Sequence, residues 1–272
     1  MKTRKLQKGK SNSNGISAAW IILGCAIIAG LFFFYVCGDA SHFDEKGHPL
    51  PGDVFGTLYQ GGYVIPIVIT LLLTVLTLSV ERLFAMSRAS GKGKVAQFVI
   101  NANKKLEEGD IEGVEKLCDE QKGSVANILK AGLVRYRDVE SIDDLTNVEK
   151  AGLIQKEIDE ATTLELPYLE KNLNIIAAIS SLGTLFGLFG TVLGMIRSFA
   201  AMGNEGAPDS TALAVGISEA LMNTAMGIGT GAVAIITYTY FSGRVQSITD
   251  AVDEVGFAIG QAFVKTHGGI TK

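Results

Sequence analysis

Four stretches interrupt an otherwise mixed chain with near-continuous apolar character. Residues 16–37 carry no charge, and neither does the core VIPIVITLLLTVLTLSV of residues 62–81, where charge returns at Glu81-Arg82-Leu83. Residues 172–199 and 212–241 are also apolar, and are rich in glycine and threonine. At about 1.5 Å of rise per residue, each is long enough as a helix to cross a hydrocarbon core of about 30 Å. The pattern predicts an all-α integral membrane protein with four transmembrane helices, long helices extending into the cytoplasm and a cytoplasmic helical domain.

Between the second and third spans, residues 82–171 change to a polar, helix-forming pattern. Apolar positions recur at helical spacing over Val95–Leu106 and Asp110–Gln121, with Asp110 placed to cap the second of these. Ser124–Arg137 reads as a third helix and residues 141–146 as a connection. A helical pattern resumes at Val148 and runs through Pro167 into the third span, where the proline kinks the helix or starts a new segment. The tail 242–272 keeps helical spacing through Val245, Ile248, Val252 and Val255, so the last span extends beyond the bilayer. Residues 38–61 and 200–211 read as periplasmic loops. Residues 1–15 form a basic tail, disordered by composition.

The composition agrees: 47% of the 272 residues are hydrophobic and 19% are charged, too apolar for an ordinary soluble domain. A net charge of −4 offers no basic surface for nucleic acid. The apolar run 16–37 exceeds a signal-peptide core, and no small-residue cleavage site follows it, so it reads as a retained span. Cys25, Cys37 and Cys118 have no ligand spacing and read as inert thiols. His42 and His48 lack a third ligand and read as solvated loop residues, so no metal and no cofactor are expected. With no phosphate loop or nucleophile elbow, no enzyme is expected either. Lys and Arg cluster in the N-terminal tail and at Arg82, Arg88, Lys92 and Lys94. This puts both termini and the 82–171 region in the cytoplasm. Arg197 is the discordant charge, left to snorkel or to pair with an acid such as Glu205.

The chemistry concentrates in the last two spans. At 100° per residue, Gly183, Gly187, Gly190 and Gly194 fall within about 60° of one another. Ser180, Thr184, Thr191 and Ser198 form a stripe beside them. On the last span Glu219, Asn223, Thr230 and Thr237 fall within about 40°, flanked by Gly216, Ala220, Gly227 and Gly231. The glycines read as helix-packing positions. Glu219 does not, because a packing face has no need of an ionisable group at membrane depth. Counted from a loop centre near Glu205, Thr191 and Glu219 are equally distant and fall at similar depth. A hydroxyl and a carboxylate at one level suit a hydrated ion or proton pathway. One helix pair cannot enclose a pore, so the pathway forms between copies or against a partner.

These residues resemble the family that includes ExbB, TolQ and the flagellar stator subunit MotA. The resemblance lies in Gly187-Leu188-Phe189-Gly190-Thr191-Val192-Leu193-Gly194-Met195, in the Gly-Ile-x-Glu-Ala-Leu…Thr-Ala-x-Gly pattern of 216–227, and in Glu81-Arg82-Leu83 ending a span. It is closest to ExbB and TolQ, since MotA-type members lack the carboxylate matching Glu219. It implies a homo-oligomer, a pentamer in the bacterial inner membrane, around the helices of an ExbD- or TolR-like single-span protein whose intramembrane Asp carries the proton. Movement would reach the outer membrane through a TonB- or TolA-like protein. Thr191, Glu219 and Thr224 match the family's pore-lining positions, with Asn223, Thr230, Thr237, Thr184 and Ser198 as further candidates for the pore wall. The family often places prolines where Thr184 and Val233 stand, and the span 16–37 is additional to its usual three. That extra span is expected to pack on the periphery of the ring, with no role in the pathway.

Overall fold

The computed structural model describes residues 18–45, 47–50, 52–204 and 210–268. The basic tail and Glu205, the acid expected to meet Arg197, lie outside the described residues. Among those described the regular structure is helical, with one isolated bridge pairing Phe43 and Pro49. Helix α1 spans Ala18–Leu31 and continues as a π-turn over Phe32–Cys37; α2 is Val54–Gln60 and α3 is Val64–Ser90. Four helices follow: α4 Val95–Glu107, α5 Ile111–Gln121, α6 Gly123–Glu140 and α7 Asn147–Leu169. Two long helices complete the chain, α8 over Leu173–Asn204 and α9 over Ser210–His267. Four segments are long and apolar enough to cross a membrane: Ala18–Cys37, the α3 region, Leu173–Ala200 and the α9 region, with mean hydropathies of 2.4, 2.3, 1.9 and 1.4.

The residues divide into two compact units. One takes the chain up to Thr77 together with Ile179–Val233; the other takes Leu78–Ala178 and the chain from Ala234 onward. In the first unit Ala29, Phe33 and Cys37 of the first span pack on Leu58, Ile65 and Ile69, with Met222 and Met226 of α9 against the same cluster. The additional span is therefore joined to the others by side-chain packing. Phe33 stacks on Tyr59 with ring centroids 5.0 Å apart. The segment 38–61 is more ordered than a polar loop. Asp53 caps α2 by accepting from Phe55 N, and its other oxygen lies 2.5 Å from His42 Nδ1. With the two side chains 22% and 18% exposed, His42 is paired, where solvated loop histidines were expected.

The second unit follows the helical periodicity closely. Asp110 caps α5 by accepting from Gly113 N, and Thr146 and Glu149 form a reciprocal capping box at the start of α7, which satisfies backbone donors that a helix start leaves free. Ile158 of α7 is fully buried and packs against Gly132 of α6 and Gly256 of α9. Tyr136 meets Phe263 edge to face at 4.8 Å. Cys118 is 1% exposed, and burial pushes its thiol up to about 12.

The helix expected to run through Pro167 into the third span is interrupted. Pro167 sits inside the last turn of α7, which ends at Leu169; Asn172 then takes a left-handed φ of 64° before α8 begins. Proline in the last turn cannot sustain the helix, and where α7 stops its last carbonyls have no donor within the helix. Arg82 supplies them. Its guanidinium is 1% exposed and donates to the carbonyls of Tyr168 and Leu169, both at 3.3 Å, and to both carboxylate oxygens of Glu81. Glu81 in turn accepts from Asn172 Nδ2 at 3.0 Å.

Candidate functional site

Within the first unit α8 and α9 run antiparallel with their glycine faces in contact. A Cβ placed on Gly187 would lie 2.9 Å from Gly227 Cα and 3.0 Å from Asn223 O. One on Gly183 would lie 3.1 Å from Gly227 O, one on Gly190 2.7 Å from Asn223 Cβ, and one on Gly194 2.8 Å from Ala220 Cβ. Only a missing side chain lets two backbones approach this closely, and the gain is dispersion contact along the whole seam. Farther along, Ser198 meets Gly216, and the Ser180 carbonyl and Thr184 hydroxyl meet Gly231.

These contacts set a register that differs from the one counted from the loop. Gly187 opposite Gly227, Gly194 opposite Ala220 and Ser198 opposite Gly216 centre the pair near residue 207. Glu219 is therefore level with Met195, and Thr191 lies one turn deeper, about 6 Å away at 1.5 Å per residue. The loop count assumed a symmetric connection, whereas interlocking glycines decide the register.

The polar residues sort by environment. Thr191 Oγ1 and Thr224 Oγ1 are in direct contact; Thr191 Oγ1 also lies 3.1 Å from Ala220 O and 3.2 Å from Gly187 O, and Thr224 Oγ1 lies 3.3 Å from Gly187 O. Each hydroxyl can donate once and accept twice, so this pair can donate to the neighbouring carbonyls and still accept from a water. Glu219 is half-buried one turn away, with Arg197 and His48 as the basic side chains that bear on it. Asn223 is 2% exposed and donates through Nδ2 to Gly61 O at 3.1 Å, while its Oδ1 has no partner within the chain. Thr230 is 1% exposed with an unpartnered Oγ1. Both occupy the interior of the chain, a position suited to joining helices more than to forming a wall. Ser198 is buried and donates to Gly194 O at 2.9 Å. Thr184 is exposed, and Thr237 is half-buried in the second unit. Among the described residues no three His, Cys, Asp or Glu side chains gather as for a metal.

Two contacts were not legible in the sequence. The carbonyl of Gly61 takes Asn223, and Gly62 lies against the Arg197 guanidinium. A glycine pair just ahead of an apolar run was the only available signal.

This seam lies inside residues 120–254, which match the MotA/TolQ/ExbB proton channel family. The biopolymer transport protein ExbB of Aquifex aeolicus is 30% identical over 118 residues, 43% of this chain and 72% of that protein. The chain belongs to the MotA/TolQ/ExbB family. An ExbB-like biopolymer transport protein of Synechocystis is 39% identical over 85 residues, 30% of this chain and 39% of its own length. The Tol-Pal system protein TolQ of Haemophilus influenzae is 34% identical over 88 residues, 32% of this chain and 39% of its own length. The chain thus spans about two fifths of the length of these last two relatives. Family membership and four apolar helices together make this an all-α, multi-pass membrane protein.

Proposed function

We propose that the chain is a proton-channel subunit of an energy-transducing motor in the bacterial inner membrane, using the proton motive force to drive TonB-dependent transport at the outer membrane. It works as a homo-oligomer, a pentamer by its family, around an ExbD/TolR-like single-span protein with an intramembrane Asp, and passes force to a TonB/TolA-like protein. The observation that carries this reading is the seam itself. Thr191 and Thr224 join hydroxyls across α8 and α9, and Glu219 lies half-buried one turn along. A carboxylate in a membrane helix pair is costly unless it serves a wet pathway or a partner. Glu219 lines and tunes that pathway, with Thr191 and Thr224 beside it, while the obligatory carrier sits on the partner.

The test is proton flux in proteoliposomes holding the chain with its single-span partner. Glu219→Gln and Thr191→Val are expected to leave assembly intact and to lower flux by about tenfold or more, the scale of losing one well-placed proton-transfer group. Full flux in both variants would leave a non-conducting scaffold as the reading. A TolQ-like role in envelope maintenance is the second reading, supported by the similarity to TolQ of Haemophilus influenzae. Complementation separates the two: rescue of a strain lacking TolQ, and not of one lacking ExbB, selects it.

A further inference from the structure

Arg197 is the basic side chain that the orientation pattern leaves unexplained, and the structure gives it specific surroundings. It lies seven residues after Gly190, about 20° around the helix, and so points along the face of α8 that meets α9. Glu219 lies four residues before Asn223, the residue packed on Gly190, and so shares the opposing face. The register puts Glu219 level with Met195, within a few ångströms of the Arg197 level.

The turn before α3 closes over this end of the seam. Gly61 O accepts from Asn223 Nδ2 at 3.1 Å, and a Cβ on Gly62 would lie 2.8 Å from Arg197 Nη1. Gly62 has a φ of 74°, a conformation that glycine adopts freely and other residues resist. The turn thus touches Arg197 on one helix and Asn223 on the other, with Glu219 one turn from Asn223. From the elements packed here, the titratable and charged groups that bear on Glu219 are Arg197 of α8 and His48 of the 38–61 segment. Arg197 forms no ion pair of its own among the described residues.

We infer that Arg197 is a positioning residue for Glu219: its guanidinium, seated on the Gly61–Gly62 turn, fixes the orientation and proton affinity of the carboxylate at the loop end of the α8–α9 seam. Separation beyond a direct ion pair leaves room for a bridging water, so the guanidinium steadies Glu219 without locking it away from a passing proton. The inference rests on the pathway role of Glu219 proposed above.

The test follows the carboxyl stretch of Glu219, assigned by its loss in Glu219→Gln, in infrared spectra of the full chain in lipid across a pH series. Arg197→Gln removes a neighbouring positive charge and is expected to make the carboxylate hold its proton severalfold more tightly, moving the midpoint upward, and Arg197→Lys to restore most of the original value. Gly62→Ala pushes a methyl into the guanidinium seat. It should reproduce the Arg197→Gln shift and add nothing to it in the double variant. Gly62→Ala also carries the test alone if Arg197→Gln does not assemble. An unchanged midpoint in both single variants overturns the assignment. A moved midpoint combined with full proton flux in Glu219→Gln would keep the Arg197–Glu219 relation and remove the proposed pathway, so the two failures are distinguishable.

Discussion

Arg82 shows how much one side chain can settle. Its exposure is 1%, and its donors serve Glu81 and the last two carbonyls of α7. Arg82 is buried but Glu81 is 35% exposed, so water screens part of the loss, and removing the guanidinium costs about 3 kcal/mol, the low end for a buried pair. Arg82→Ala is therefore expected to lower the melting temperature of the purified chain by about 6 °C or more. Arg82→Lys should recover only part of this, since one ammonium cannot span a carboxylate and two carbonyls in the planar fork that guanidinium provides. A melting curve identical to the unsubstituted chain in Arg82→Ala would show that the α7 end is held by other contacts. The sequence displayed Glu81-Arg82 as the end of a span, which is where charge normally returns to water. That Arg82 turns inward follows from Pro167 and the break at Asn172, nearly ninety residues away, and no local pattern reports it.

At the scale of elements, the α8–α9 seam makes a sharper demand. Gly187 and Gly227 approach backbone to backbone, while Gly229, two residues further along α9, has nothing within 4 Å of a built Cβ. Gly187→Val must push the helices apart and is expected to cost about 1–3 kcal/mol through overpacking. Gly229→Val should change stability by about 0.5 kcal/mol or less. Thermal unfolding of the two variants side by side checks this; equal damage from Gly229→Val would reveal a second packed face there. The same contrast explains what was legible. Helical periodicity, the Asp110 cap and the alternation of apolar and polar blocks are local, so the helices of residues 95–140 and the apolar spans could be read directly. The glycine faces were also visible as stripes. Their meshing was not, because register depends on which glycine sits against which backbone, and that shifted Glu219 a turn away from the level counted from the loop. The His42–Asp53 pair and the packing of Phe33 on Tyr59 were hidden for the same reason: both join residues brought together by the fold of the 38–61 segment.

Across the whole molecule, the arrangement of charge against apolar length makes a prediction about sidedness. Four segments are long and apolar enough to cross a membrane; if all four cross, the two ends of the chain lie on one side. Arg82, Arg88, Lys92 and Lys94 follow the second span and Arg244 follows the fourth, whereas residues 38–61 hold only Lys46 and residues 200–211 hold no Lys or Arg. Short connecting segments that keep Lys and Arg stay cytoplasmic, so the prediction is that the α4–α7 helices and both ends lie inside and the two loops outside. Arg197 runs against this bias, but it lies within α8 with its guanidinium against Gly62 and does not vote as a free loop charge. Alkaline phosphatase inserted after Gly206 is therefore expected to be active, and a fluorescent protein fused after Lys272 to be bright. The decisive fusion is at the N-terminus. If the first span crosses as the others do, a fluorescent protein ahead of Met1 is bright as well. If that span only lies along the others, through Ala29, Phe33 and Cys37, the same fusion is dark while the C-terminal one stays bright. That outcome would reduce the crossing count to three and leave the first helix as a lateral brace on Leu58, Ile65 and Ile69.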